Sequence, residues 1–308
     1  MRELVVLGTA AQVPTRHRNH NGYVLRWDDE ALLFDPGEGT QRQMILAGVS
    51  ASSLTRICVT HAHGDHCLGL AGVVQRLSLD RVSHQVHLHF PEHAAPYVDR
   101  LRSAAAFHDT VSIAAHAVDP AAVPVPVADT TAYRLEAAPL DHRIPTLGWR
   151  LVEPDGRRFV PDRLAAAGVA GPAVGELARR GSLVVRGRTV RLVDVSAPRP
   201  GQRFAFVMDT RMCQAAVILA DRADLLVCEA TYLDRDRHLA DEYGHLTARQ
   251  AGLLARQAGA RLLVLTHFSQ RYGEDSAPFL AEGRAAFPDV VAAEDLARIP
   301  VPRRRFTP

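Results

Sequence analysis

Six consecutive residues, His61-Ala62-His63-Gly64-Asp65-His66, carry four side chains able to bind a metal ion. They follow an apolar, β-branched run, Ile-Cys-Val-Thr at 57–60, which predicts a buried strand and so puts the group at a strand end. His61 and His63 followed by Asp65-His66 cannot all point one way on a regular helix or strand. The segment is therefore expected to be a loop wrapped around a centre, with Gly64 allowing the tight turn, and to supply ligands to two adjacent metals. The chain has fifteen histidines, so an isolated His-x-His would more simply be a solvated loop; this density directly after a strand favours the metal.

Three more ligand-type residues stand just beyond predicted strands: His142 after 131–138, Asp209 after 204–208 and His267 after 262–266. A rigid sheet fixes positions while loops let side chains converge, which is why strand ends carry chemistry. Singly, His142 could be a loop histidine, Asp209 the N-cap of a helix over 211–220, and His267 a hydrogen-bonded side chain closing a strand. Together with the hexad they make seven ligands, the complement of a two-metal hydrolytic centre: His61, His63 and His142 on one ion, Asp65, His66 and His267 on the other, Asp209 bridging. Imidazoles and carboxylates without a cysteine suit two Zn²⁺ per subunit and leave Mn²⁺ or Fe open. Such a pair activates water and stabilises an in-line displacement at phosphorus.

The elements that must hold these residues are short. Strands are expected at 4–7, 23–27, 31–34, 57–60, 86–90, 131–138, 147–152, 204–208, 225–228 and 262–266, and helices at 40–46, 67–77, 91–104, 211–220, 247–257 and 277–286. With 308 residues and 47% hydrophobic content, the chain can bury a large core, and residues 1–308 are read as a single domain. From 153 to 200 the pattern breaks into Gly, Pro and Arg without a long apolar element, which predicts a flexible arm inserted between two core strands; a solvated loop is the plainer alternative. No run of 18 apolar residues and no secretory signal is seen, and Cys58, Cys67, Cys213 and Cys228 lack Cys-x-x-Cys spacing, so a cytoplasmic protein without disulfides is expected. The net charge of +2 does not announce a polyanion binder, but every basic side chain is Arg, whose fork suits phosphate. A second histidine group, His84, His87, His89 and His93, has no acidic or Cys partner and is read as a polar sheet face.

The motif His-x-His-x-Asp-His with the later His, Asp-Thr and His resembles the metallo-β-lactamase superfamily, and within it the chain is similar to the ribonuclease Z family over nearly its whole length. The residues that carry this are Pro14-Thr15-Arg16-His17-Arg18-Asn19, with Arg16 where Lys is common; Asp141-His142-Arg143 and on to Trp149; Met208-Asp209-Thr210; Cys228-Glu229-Ala230-Thr231; Tyr243-Gly244-His245-Leu246-Thr247; and Thr266-His267-Phe268-Ser269-Gln270. Cys228 stands where that pattern has His, and Met208 where it has Gly; neither removes an expected ligand. The resemblance implies an α/β fold (α+β, four layers), an αββα sandwich with a protruding arm. It implies an endonuclease that removes the 3′ trailer from precursor tRNA, acting as a homodimer whose arm grips the tRNA cut by the partner. Asp65 would accept the proton of water, His245 would protonate the leaving oxygen and Glu229 would orient His245. Arg16, Arg18 and Asn19 would line the channel for the RNA end, and Arg179 and Arg180 in the arm would hold phosphates, while Arg303 to Arg305 are more simply a solubilising tail. Other readings left open are a different hydrolase of this fold, such as an arylsulfatase-like esterase, a cyclic-nucleotide phosphodiesterase or a lactamase, and an RNA-binding protein without catalysis.

Overall fold

The central strands are mostly apolar on both faces because each sheet is covered on both sides. The computed structural model describes residues 2–119 and 124–304. In chain order the strands are β1 (Arg2–Gly8), β2 (Gly22–Trp27), β3 (Glu30–Phe34), β4 (Leu54–Cys58), β5 (Val86–Pro91), β6 (Ile113–Val118), β7 (Val125–Asp129), β8 (Arg134–Leu140), β9 (Thr146–Val152), β10 (Gly156–Phe159), β11 (Ser182–Val185), β12 (Arg188–Arg191), β13 (Ser196–Arg199), β14 (Arg203–Val207), β15 (Leu225–Glu229), β16 (Leu263–Thr266), β17 (Val290–Ala292) and β18 (Arg298–Pro300). They form two seven-stranded sheets, ordered β18-β1-β2-β3-β4-β5-β6 and β17-β16-β15-β14-β9-β8-β7. The sheets face one another. Tyr23, Leu25 and Trp27 of β2 meet Trp149, Phe204 and Phe206 of the second sheet, and the Phe34 and Phe206 rings stack with centroids 4.9 Å apart.

Helices cover the outer faces and complete four layers. The helices α1 (Thr40–Leu46), α2 (Gly64–Cys67), α3 (Leu70–Leu79) and α4 (Ala95–Arg102) lie along the first half of the chain, and Met44, Val73, Val74, Leu77 and Val98 seal the outer face of the first sheet. After the arm helices α5 (Pro161–Ala166) and α6 (Pro172–Arg180) come α7 (Gln214–Leu219), α8 (Arg237–Tyr243), α9 (Ala248–Ala258) and α10 (Ala277–Ala286); Leu219, Leu254 and Phe279 seal the second sheet. The Thr247 side chain accepts from the backbone N–H of Gln250 while the Gln250 side chain accepts from the backbone N–H of Thr247, a capping box that starts α9, and Gly259 at φ 63° ends it.

The sequence reading and the structure part in informative places. The helix expected over 67–77 begins earlier as α2 and breaks before α3, where the Gly69 N–H donates to the Pro36 carbonyl at 2.8 Å, in an approach so close that a Cβ on Gly69 would stand 2.0 Å from the Gly37 carbonyl oxygen. The helix expected from 211 begins only at Gln214, since Met208 to Cys213 carry Asp209 into the site. The edge strands β6, β7, β17 and β18 were not anticipated: they are short, or interrupted by Pro and His.

Residues 156–199 leave the second sheet between β9 and β14. β10 pairs with β13 at the root, β11 pairs with β12 as a hairpin, and α5 and α6 lie between. Val169, Leu177, Val190 and Val195 form a small apolar cluster of their own. Glu153 anchors the root, its carboxylate accepting from Arg2 at 2.7 Å and from Arg199 at 2.9 Å.

Candidate metal centre

The carboxyl ends of β3, β4, β8, β14, β15 and β16 open on one edge of the sandwich, β8 running parallel to β14 because both are antiparallel to β9. Asp35 follows β3, His61 and His63 follow β4, His142 follows β8, Asp209 follows β14, Glu229 ends β15 and His267 follows β16. Three of these, Asp35 (φ 46°), Asp209 (φ 47°) and His267 (φ 61°), hold left-handed backbone and are buried. Asp and His tolerate that region better than most residues, and the strain, on the order of 1 kcal/mol each, sits where three strands turn sharply to aim side chains inward. The hexad is half loop and half helix. His61 and His63 lie in the loop, while Gly64 to Cys67 form one helical turn that presents Asp65 and His66 in succession; Gly64 itself has no left-handed backbone.

All seven expected ligands converge. Nδ1 or Nε2 of His61, His63 and His142 and a carboxylate oxygen of Asp209 lie within 4.8 Å of one another, as do ligand-type atoms of Asp65, His66 and His267. Asp209 stands between the groups: Oδ2 is 3.5 Å from His61 Nε2 and 3.4 Å from His66 Nε2, and Oδ1 is 3.3 Å from His267 Nε2. Asp65 Oδ2 lies 3.3 Å from His66 Nε2 and 3.4 Å from His267 Nε2. The set fits a cation on two observations. Asp209 Oδ1 is buried and accepts no hydrogen bond. The imidazoles also turn lone pairs inward: His66 Nδ1–H donates to Asp35 Oδ2 at 2.8 Å and His142 Nδ1–H to the Gly244 carbonyl at 2.8 Å, each leaving Nε2 bare toward the centre.

The field divides the histidines: burial opposes charge on His66, yet Asp209, Asp65 and Asp35 raise its imidazole well above the ordinary value. Burial lowers the pKa of His61, His63 and His142, favouring the neutral ligand form. Burial alone would raise Asp65 and Asp209, but the surrounding imidazoles, His66 and His267 foremost, hold both carboxylates ionised well below the usual range. Beside them His245 Nδ1 donates to Glu229 Oε1 at 3.0 Å. Burial opposes the charge on His245, yet Glu229 and then Asp209 outweigh it and raise the imidazole to about 9. The His245 ring centroid is 5.1 Å from that of His142 and 5.4 Å from that of His267, at the wall of a cavity of about 640 Å³ that His63, Asp65, Asp209 and Arg143 also line.

The structure sorts the other expected residues. Of the three loop residues expected to face RNA, Arg16 is exposed, but Arg18 is turned inward, where it donates to Thr9 Oγ1 at 2.8 Å and to the Glu274 carbonyl at 2.8 Å with its guanidinium over the Phe268 ring. Asn19 spends its side-chain amide on the carbonyls of His20 and Glu38. Arg179 and Arg180 are exposed near the end of α6, Arg180 3.1 Å from Glu176. In the tail, Arg304 is docked on Asp224 at 3.0 Å, and Arg305 lies outside the described residues. His87 and His89 share a sheet face and stack with His116 beside Arg56, but among the described residues the groups that bring three ligand-type atoms together all lie at the strand-end site. Sequence reasoning missed Asp35, Thr60 and Thr231, which hold the histidines from behind. Asp35 follows the apolar run 31–34 as Asp209 follows 204–208, so the same strand-end rule points to it.

Two superfamily patterns match the chain, the metallo-beta-lactamase superfamily over residues 15–162 and the beta-lactamase superfamily domain over 176–268. Ribonuclease Z of Salinispora arenicola is 60% identical over 305 residues, covering 99% of this chain and 97% of that one, and ribonuclease Z of Chlamydia trachomatis is 45% identical over 302 residues, covering 98% of each. The chain belongs to the ribonuclease Z family. Among solved structures, the short form of human tRNase Z superposes with a TM-score of 0.72 at 27% identity, covering 98% of this chain and all of that one. A metallo-beta-lactamase fold protein from Bacillus subtilis, at 17% identity and a TM-score of 0.68, shares the fold. Family membership and the converging His and Asp groups make the centre a metal site, and no helix among the described residues is long and apolar enough to cross a membrane.

Proposed function

We infer that the protein is a metal-dependent endoribonuclease that removes the 3′ trailer from precursor tRNA, leaving a 3′-hydroxyl on the tRNA and a 5′-phosphate on the trailer. The observation that carries this reading is the pairing of a phosphodiesterase-type metal cluster with a cationic imidazole, His245, in a chain of this family. His61, His63, His142 and Asp209 would hold one ion and Asp65, His66, His267 and Asp209 the other. Zinc suits the spacing: ligands about 2.0–2.1 Å from a tetrahedral ion stand roughly 3.3–3.4 Å apart, close to the separations of 3.3 to 3.5 Å between Asp209 and His61, His66 and His267.

Bound metals supply a nucleophile from water at neutral pH and neutralise the phosphoryl oxygens. The bond that breaks joins phosphorus to the 3′-oxygen of the tRNA, so that oxygen needs a proton. His245 holds one on Nε2 at neutral pH, because Glu229 takes the Nδ1–H and the pair keeps the ring charged. Asp65, ionised and against the metal groups, is the carboxylate placed to accept the proton of water.

The arm supplies affinity. Residues 156–199 carry nine arginines against Asp162, Glu176 and Asp194, and A-form RNA is held largely by phosphate contacts and shape. The arm joins the second sheet at Val152 and Arg203, the ends of β9 and β14 away from the metal groups. Five residues of β14 separate the two poles by roughly 16 Å. An arm rooted at the far pole presents its RNA most readily to the site of a second copy, which supports a homodimer acting in trans. A tRNA substrate and four free thiols support a cytoplasmic enzyme. Incubating the purified protein with a 3′-extended tRNA transcript and mapping the new end tests the reading: cleavage beside the acceptor stem is expected, and an uncut transcript at saturating metal overturns it.

A further inference from the structure

Behind the metal cluster, one hydroxyl touches three functional side chains. Thr231, two residues after Glu229 and 3% exposed, has Oγ1 at 2.6 Å from Glu229 Oε2, 2.7 Å from His267 Nδ1 and 3.3 Å from His245 Nδ1. Glu229 is buried, yet it collects donors from the Thr210 backbone N–H at 2.8 Å, from the Thr231 backbone N–H at 3.3 Å and from His245 at 3.0 Å, which keeps it a carboxylate that can only accept. The single hydroxyl proton of Thr231 must then point at Glu229. Its remaining lone pairs can only accept, so His267 donates Nδ1–H to Thr231 and leaves Nε2 bare toward Asp65 and Asp209.

The geometry points to Thr231 as a positioning residue: through its hydroxyl, the Glu229 carboxylate sets the tautomer and ring orientation of the metal-facing His267, while holding His245 directly. Retention of the metal beside His267 and protonation of the leaving oxygen therefore depend on one carboxylate. The same construction recurs across the site, which argues that it is a built device. Asp35 Oδ2 accepts from Thr60 Oγ1 at 2.8 Å, Thr60 Oγ1 lies 2.9 Å from His61 Nδ1, and Asp35 also accepts directly from His66. This inference rests on the proposed function for the role of His245, but not for that of His267.

The test uses full-length Thr231→Val, which keeps the shape and removes the hydroxyl, Thr231→Ser, which restores it, Glu229→Gln and the double variant Glu229→Gln/Thr231→Val, each checked for folding by thermal unfolding. Zinc affinity is measured by competition with a chromogenic chelator, and cleavage with the 3′-extended transcript. Thr231→Val should hold its weaker zinc about 10–100-fold less tightly, as removal of an orienting partner typically does, and Thr231→Ser should recover most of that loss. The double variant should bind zinc no more weakly than Glu229→Gln, because the hydroxyl acts through that carboxylate. Excess zinc should raise cleavage by Thr231→Val but leave the deficit of Glu229→Gln in place. Parental zinc affinity in Thr231→Val, no recovery in Thr231→Ser, or losses that simply add in the double variant would overturn the proposal. A parent that binds zinc but cuts no tRNA would overturn the functional reading alone, since the zinc titrations still decide the role of Thr231.

Discussion

Two buried carboxylates stand behind the metal cluster, one on each sheet, and each grips two histidines, one directly and one through a threonine. Asp35 after β3 holds His66 directly and His61 through Thr60; Glu229 at the end of β15 holds His245 directly and His267 through Thr231. They differ in what the directly held ring can reach. His66 is fully enclosed, whereas the His245 side chain is 13% exposed and opens on the cavity. Their electrostatics differ as well. Burial lifts Asp35 above the usual carboxylate range in spite of His66, while His245 pulls Glu229 below that range in spite of burial. One arrangement thus takes two forms: on the closed side both rings turn toward the candidate metal centre, and on the open side one ring opens on the cavity.

Breaking the open side should cost most. Glu229→Gln is expected to lower single-turnover cleavage of a 3′-extended tRNA by about 10²–10⁴-fold at saturating metal, the usual worth of a general acid; a loss smaller than about tenfold would remove the distinction between the two sides. On the closed side, Asp35→Asn should act through metal retention, lowering zinc affinity by about 10–100-fold, with cleavage partly regained in excess metal. If its deficit proves indifferent to metal, the closed bracket does more than orient ligands.

Backbone crowding offers a subtler perturbation of the same side. A Cβ at Gly37 would lie 2.2 Å from the Asp65 carbonyl oxygen, so Gly37→Ala should destabilise the protein by about 1–3 kcal/mol, read by denaturant unfolding. The open side should show itself through pH. Because His245 in the folded, metal-free protein is raised to about 9 from an ordinary 6.5, its pairing with Glu229 contributes stability fully below the ordinary value and loses it as pH rises through about 9. Urea unfolding of the metal-free protein should therefore show stability falling over that window, and His245→Gln should reduce that fall, leaving the part that the raised His66 contributes; an unchanged slope would mean the pair is not charged. Smallest is Arg143, the arginine lining the cavity, its guanidinium 5.8 Å from the Tyr243 ring centre. Arg143→Ala should weaken tRNA binding about fivefold, roughly 1 kcal/mol, in KM more than kcat, and reduce the salt slope by about one. An unaltered salt slope would place the RNA backbone elsewhere.

The converging His and Asp residues were legible because burial on both faces turns core strands into apolar runs, and a His or Asp ending such a run stands out. Runs 204–208 and 262–266 announced Asp209 and His267 in this way. The arm was legible only as a break in the pattern, since Val169, Leu177, Val190 and Val195 are too scattered in sequence to register as a core. Arg18 misled because its charge reads as surface, whereas an aromatic ring and two oxygens make a place for it inside.

The amino-acid sequence by itself determined the donor set, its strand-end placement and the hydrolytic chemistry that imidazoles and carboxylates in that number support, because these depend on residue type and local periodicity. Tertiary structure decided which nitrogen of each ring faces the centre. His66 owes its tautomer to Asp35, 31 residues earlier, and His267 owes its own to Thr231, 36 residues earlier. A hydrogen bond is set by distance in space, and only the parallel pairing of β3 with β4 in one sheet and of β15 with β16 in the other brings those partners within reach.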